Sequence, residues 1–116
     1  DIVLHEETAY VALSDGVVAV VDVAQMAVRK HLKAAEKSAR CLALNVASQE
    51  LAVGYSDHRI RIFDLATLSL KHVITGHTNS VFTVAYAPDG GRLLSAGRDA
   101  HLRAWNVAAG YAPAQD

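Results

Sequence analysis

The chain has 116 residues, of which 52% are hydrophobic and 20% charged, a composition typical of a packed domain rather than a disordered one. The formal net charge is −1 and the charges are interspersed, which disfavours binding to nucleic acid or to an anionic membrane through a basic surface. The apolar run at 17–21 is far shorter than the roughly 20 residues of a membrane-spanning helix, and the single cysteine excludes an internal disulfide.

Short β-type runs follow one another along the chain. Val17–Val21 is continuously apolar, as expected of a strand that is buried on both faces. Arg59–Phe63 and His101–Trp105 alternate polar and apolar residues, which is the period of a strand. Pro88–Gly91 is a strong turn signal, and Arg98–Ala100 lies between two further runs, so Asp99 is predicted in a tight hairpin.

One segment favours a different structure. Residues 24–44 are rich in Ala, Lys, Arg, Met and Leu, and five apolar side chains in it could form a helical stripe. We nevertheless predict strands here, because an internal repeat passes through the segment without a gap and tertiary context overrides helix propensity.

That repeat is anchored by three aspartates, Asp15, Asp57 and Asp99, which lie 42 residues apart. A period near 40–45 residues is expected of a four-stranded propeller blade. The positions after each aspartate keep the same step: Val18, Ile60 and Leu102; Val20, Ile62 and Ala104; Val21, Phe63 and Trp105; Asp22, Asp64 and Asn106.

The last repeat resembles the WD40 repeat. It contains the dipeptide Gly76-His77, a turn at 86–90 similar to the Ser-Pro-Asp-Gly turn of that family, and Trp105-Asn106 near the position of the terminal Trp-Asp. The match is specific over 76–107 and weaker over 34–65, where Phe63-Asp64 replaces Trp-Asp. Over 1–23 only the repeat offset and the Val-Asp pair at 21–22 support it.

The resemblance implies an all-β fold: a partial WD40 β-propeller of roughly ten antiparallel strands in three consecutive blades. The blade units are expected at about 1–33, 34–75 and 76–116, in a single domain spanning 1–116. The first unit would lack most of its innermost strand and the last unit its outermost strand. The expected strands are 8–13, 17–22, 26–32, 39–44, 50–55, 59–64, 68–74, 81–86, 92–97 and 101–106.

Three blades cannot close a ring, because propellers typically have about 4–8. The two end blades would then expose apolar faces. We expect the chain to be an excerpt of a longer propeller; the alternative is that several copies assemble and supply the remaining blades.

The sharpest group of polar residues is His77, Ser95, Asp99 and Trp105. The WD40 resemblance implies that these four form a buried structural hydrogen-bond network, and that Asp15 and Asp57 are turn aspartates without the rest of that network. A Ser, a His and an Asp could also suggest a hydrolase triad, but no Gly-x-Ser-x-Gly turn surrounds Ser95.

No cofactor or metal is predicted. The six histidines have no His-x-x-x-His spacing, and Cys41 is expected to be a buried small hydrophobe in an inner strand. We therefore predict a non-enzyme: a WD40-type scaffold that binds a protein or peptide rather than nucleic acid or membrane, in the cytoplasm. Two alternatives stay open, a segment that completes a ring by self-assembly and part of a propeller-type hydrolase or lyase.

In WD40 proteins the loops at one end of the blades often contact partners. On this chain the resemblance places five residues there as candidates for a partner-binding face: Lys37, Tyr55, Ser56, Asn79 and Arg98.

Overall fold

The computed structural model describes residues 1–114 and contains twelve strands in three sheets. The only helix in these residues is a single 3₁₀ turn, Val107–Ala109, so none of its helices is long enough to cross a membrane. The strands are β1 Ile2–His5, β2 Thr8–Ala12, β3 Val17–Asp22, β4 Ala27–Lys33, β5 Ala39–Asn45, β6 Glu50–Tyr55, β7 Ile60–Asp64, β8 Leu70–Ile74, β9 Val81–Tyr86, β10 Arg92–Gly97, β11 Leu102–Asn106 and β12 Ala112–Pro113.

Each sheet is a four-stranded antiparallel meander whose strands pair in chain order. We name them the first sheet (β1–β4), the second sheet (β5–β8) and the third sheet (β9–β12). The all-β class and the three four-stranded units predicted from the 42-residue repeat are confirmed. Each predicted strand lies within two residues of a strand in the structure.

The structure adds two strands, so the expected gaps at the chain ends are corrected. β1 pairs with β2 over four residues, and the backbone oxygen of Asp1 extends the ladder by accepting from Ala12. β12 pairs with β11 over only two residues. It forms because Gly110 and Tyr111 adopt positive φ angles of 66° and 64°, which turn the chain back onto β11. Nothing in the sequence pattern of 107–113 indicates a strand.

The helix-like segment 24–44 forms β4 and β5. Only Leu32 is buried along β4, because this strand lies at the outer edge of its sheet and its long polar side chains face solvent. Burial of Leu32, Ala39 and Leu42 in one core decides the conformation over the helix propensity of their neighbours.

The sheets stack face to face, with the second sheet between the other two. One apolar core lies between the first and second sheets and includes Val18, Leu51 and Phe63. The other lies between the second and third sheets and includes Ile62, Leu93 and Trp105. β6 is buried along its whole length because it faces both cores. The outer faces of the stack stay open: Leu4 is 65% exposed in the first sheet and Leu102 is 74% exposed in the third.

The loops alternate between two ends of the stack. The upper end, as we call it, holds the segments 13–16, 34–38, 56–59, 75–80 and 98–101. The lower end holds 6–7, 23–26, 46–49, 65–69, 87–91 and 107–111. Side chains at these two ends form the candidate sites.

Candidate functional site

The three repeat aspartates occupy the same turn at the upper end. Their Oδ1 atoms accept the backbone N–H two residues ahead: Asp15 from Val17 at 3.1 Å, Asp57 from Arg59 at 3.2 Å and Asp99 from His101 at 3.1 Å. Such an aspartate turn is a common way to join two antiparallel strands. The repeat therefore preserves the turn, while the second carboxylate oxygen is used differently in each sheet.

In the third sheet that oxygen binds a histidine. Asp99 Oδ2 accepts from His77 Nδ1 at 2.9 Å and from the Thr78 backbone N–H at 3.0 Å. The Thr78 N–H holds the pKa of Asp99 well below its usual range; burial opposes this, and the hydrogen bond from His77 adds to it. Asp99 is thus an ionised acceptor that orients His77.

The same histidine continues the network inward. Ser95 Oγ lies 2.8 Å from His77 Nε2, and the Trp105 indole N–H donates to that hydroxyl at 2.9 Å. With the imidazole protonated on Nδ1, every polar atom of the four side chains has a partner. Gly76 permits this packing, because a Cβ there would lie 2.6 Å from the indole ring of Trp105.

The geometry gives this Ser-His-Asp group a structural role. Ser95 is 1% exposed and its hydroxyl already binds both His77 and Trp105, so no substrate can reach it. A hydrolase triad needs an accessible nucleophile and an oxyanion site beside it. The structure therefore brings together His77, Ser95, Asp99 and Trp105 as a buried network joining the strands of the third sheet.

The second sheet replaces histidine by arginine. Asp57 Oδ2 accepts from Arg61 Nη2 at 2.8 Å, and the Arg61 guanidinium lies 4.6 Å from the centre of the Tyr55 ring. Burial opposes the ionisation of Asp57, but the hydrogen bond and charge of Arg61 outweigh it and lower its pKa. Sequence reasoning missed this pair; its only signal was the four-residue spacing of 57 and 61.

This arrangement corrects one predicted binding residue. Tyr55 is completely buried in the core between the first and second sheets, so it does not lie on a partner-binding face. The alternation of β6 could not reveal this, because the strand is apolar and buried on both sides.

The other four predicted face residues lie at the upper end. Lys37, Asn79 and Arg98 are exposed and Ser56 is half-buried. The structure adds two residues beside them: the Arg40 guanidinium lies 5.0 Å from the centre of the Phe82 ring, and Phe82 is 44% exposed. Arg40 also donates to Ser56 Oγ at 3.3 Å. Both residues hold the same position of the 42-residue repeat in neighbouring inner strands, a relation visible in the sequence but not its consequence.

Metal ligands are not clustered in the described part of the chain. Within residues 1–114 no group of three or more His, Cys, Asp or Glu side chains is placed to hold a metal ion. Cys41 is buried, with its Sγ 3.8 Å from the backbone oxygen of Val81, and burial raises the pKa of its thiol to about 11. This thiol is therefore neither a nucleophile nor a ligand at neutral pH.

Comparison with known families decides the class of the repeat. The family described as WD domain, G-beta repeat (WD40) matches residues 68–106, which run from β8 to β11. This segment is a WD40 repeat. It contains the whole of the His77 network, and the two preceding sheets repeat its fold at the 42-residue offset.

Solved structures show the same WD40 fold. The structure of U3-55K has a TM-score of 0.87 and 20% identity, over 95% of this chain and 35% of that one. The WD40 repeats of RRP9 have a TM-score of 0.87 and 19% identity, over 94% of this chain and 34% of that one. The three sheets are therefore three consecutive WD40-type propeller blades.

Curated relatives match about half of this chain. They include Centriole proteome protein 16 of Chlamydomonas reinhardtii, 36% identical over 57% of this chain and 3% of that protein. THO complex subunit 6 homolog of Danio rerio is 33% identical over 54% of this chain and 20% of that protein. Protein FIZZY-RELATED 2 of Arabidopsis thaliana is 39% identical over 47% of this chain and 11% of that protein. The matched regions thus span a fifth or less of these relatives.

Proposed function

We propose that this WD40 chain is a non-catalytic scaffold that binds a protein or peptide partner at the upper end of the second and third sheets. The observation that carries the proposal is the exposed Arg40–Phe82 pair, because aromatic and arginine side chains are the commonest anchors of protein interfaces. Lys37, Asn79 and Arg98 surround that end and supply a polar rim.

The charges of this surface favour an acidic partner. The carboxylates of Asp57 and Asp99 turn inward and bind Arg61 and His77, whereas the exposed side chains of Lys37, Arg40 and Arg98 point their charge to solvent. Glu36 opposes them, but it lies 3.5 Å from Lys33 and is offset by it. Such complementarity raises association rates and sets specificity more than it raises affinity. With a net charge of −1 overall, a protein fits this surface better than nucleic acid.

We further propose that the remaining blades come from a longer parent chain. The exposed outer faces of the first and third sheets support this, since neighbouring blades would cover them. The matched WD40 structures are also about three times as long as this chain. A reducing compartment such as the cytoplasm suits the single buried thiol of Cys41.

Affinity capture with the intact parent protein, followed by mass spectrometry, tests the scaffold function. We expect partners that are lost when Arg40→Ala and Phe82→Ala are combined, and retained by Arg92→Ala, an exposed arginine at the lower end. Equal capture by both variants would place the binding surface elsewhere.

A second candidate is self-assembly into a ring. The observation that favours it is the apolar outer face at each end of the stack, where Leu4 and Leu102 are exposed. Sedimentation of the 116-residue chain distinguishes the two: a discrete particle of two or more copies supports assembly, whereas a folded monomer supports the parent-chain proposal.

A further inference from the structure

A polar pocket of about 360 Å³ lies at the lower end, between the first and second sheets. Thr8, Tyr10 and Arg29 of the first sheet line one side, and Gln49, Leu65 and Leu68 of the second sheet line the other. Its volume lies within the range of about 300–1,000 Å³ that is usual for ligand sites. The pocket is at the opposite end from the surface proposed above and does not depend on that proposal.

The repeat supplies a template for what this pocket can bind. The same place between the second and third sheets is filled by the carboxylate of Glu50, which is almost completely buried. Glu50 accepts from Lys71 Nζ at 2.6 Å, from the Tyr111 hydroxyl at 2.5 Å and from the Ser48 hydroxyl at 2.9 Å. This blade interface is thus closed at its lower end by a carboxylate held by a base and two hydroxyls.

The base holds the same place in both interfaces. Lys71 is the extra residue of a β-bulge between Ile62 and Phe63, and Arg29, 42 residues earlier, is the extra residue of a β-bulge between Val20 and Val21. Such bulges redirect a side chain out of the regular alternation. The first bulge therefore directs a base into the pocket as the second directs a base onto Glu50.

The carboxylate is what differs. Thr8 occupies the repeat position of Glu50, and no carboxylate of residues 1–114 lies within ion-pair distance of Arg29. Glu6 is at the pocket rim, but its side chain is 82% exposed and lies 4.0 Å from His5. Burial raises the pKa of Tyr10, and the positive charge of Arg29 partly offsets this, as expected for a guanidinium close to the ring.

We propose that this pocket binds the carboxylate of an acidic side chain in a partner peptide, which takes the place that Glu50 occupies in the next interface. The Arg29 guanidinium and the Tyr10 and Thr8 hydroxyls are the donors, matching the base and hydroxyl donors around Glu50. Leu65 and Leu68 pack against the aliphatic stem of the acidic residue.

The test is an NMR titration of the 116-residue chain with a blocked glycine–glutamate–glycine peptide and with its glutamine counterpart. The glutamate peptide should bind at least about tenfold more tightly, as expected when a charge-assisted hydrogen bond is lost. The shifted amides should belong to Tyr10, Arg29 and Leu68. Equal affinity for the two peptides, or shifts confined to the upper end, would overturn the proposal.

Three variants sharpen the test. Arg29→Ala should weaken the glutamate peptide by about tenfold, whereas Arg92→Ala, an exposed arginine at the same end, should leave its affinity unchanged. Thr8→Glu should abolish binding, because it installs the Glu50 carboxylate within the chain, while Thr8→Gln should retain most of it. Unchanged binding by Thr8→Glu, or tighter binding of free glutarate than of the peptide, contradicts the peptide site.

Discussion

The two interfaces between the three blades are built from the same backbone but are held by different side chains. Between the second and third sheets, polar networks close both ends: His77, Ser95 and Trp105 above, Glu50 and Tyr111 below. Between the first and second sheets the contact is mainly apolar. Its buried polar atoms are incompletely paired: neither the Tyr55 hydroxyl nor Arg61 Nη1 has a partner among the described residues. Repetition therefore preserves strand pairing and turns, while each interface acquires its own chemistry.

Removal of Trp105 should have the largest effect on this comparison. Trp105→Ala deletes a buried indole from the second interface, and we expect a loss of about 3–5 kcal/mol in the free energy of unfolding. Urea denaturation followed by circular dichroism measures it. Trp105→Phe is the control that keeps most of the packing but removes the donor to Ser95. An unchanged denaturation midpoint for Trp105→Ala would refute the structural role of the network.

Loss of the Glu50 charge should have the next largest effect. Glu50→Gln leaves Lys71 and Tyr111 without their ionised acceptor, and we expect about 1–3 kcal/mol of destabilisation, the usual cost of an unsatisfied buried polar group. Glu36→Gln is the matched control, because Glu36 is exposed and makes only a surface pair with Lys33. Equal urea midpoints for the two variants would show that the Glu50 network does not stabilise the interface.

Acid should reproduce part of the Glu50 effect. Burial opposes the ionisation of Glu50, yet the hydrogen bonds from Lys71, Tyr111 and Ser48 outweigh it and lower its pKa in the folded chain. A folded pKa below the unfolded value of about 4.3 stabilises the fold above that pH, and the stabilisation is lost as the pH falls through the folded pKa. The thermal midpoint of the wild-type chain should therefore fall more steeply below about pH 4.3 than that of Glu50→Gln. Parallel curves for the two proteins would remove Glu50 as a contributor.

The sequence predicts the turns and strands well because they depend on local patterns repeated every 42 residues. Asp15, Asp57 and Asp99 each form the expected turn, and the four residues of the His77 network lie together. Contacts between sheets were not predictable in the same way. Tyr55 is buried because an unlike side chain, Arg61, covers it, and Glu50 is buried because Tyr111 reaches it from 61 residues further along the chain.

The smallest predicted difference compares one buried hydroxyl in each interface. Tyr111→Phe removes the donor to Glu50 and the acceptor for the Tyr86 hydroxyl, and should cost about 1 kcal/mol or more. Tyr55→Phe removes a hydroxyl that has no partner and whose pKa burial raises to about 12, so its loss should be neutral or slightly stabilising. Both changes delete a single oxygen from a buried ring, so the difference between their urea midpoints measures the pairing of that oxygen alone. If Tyr55→Phe were the more damaging of the two, the first interface would have to hold a partner for its hydroxyl, and the contrast between the interfaces would fail.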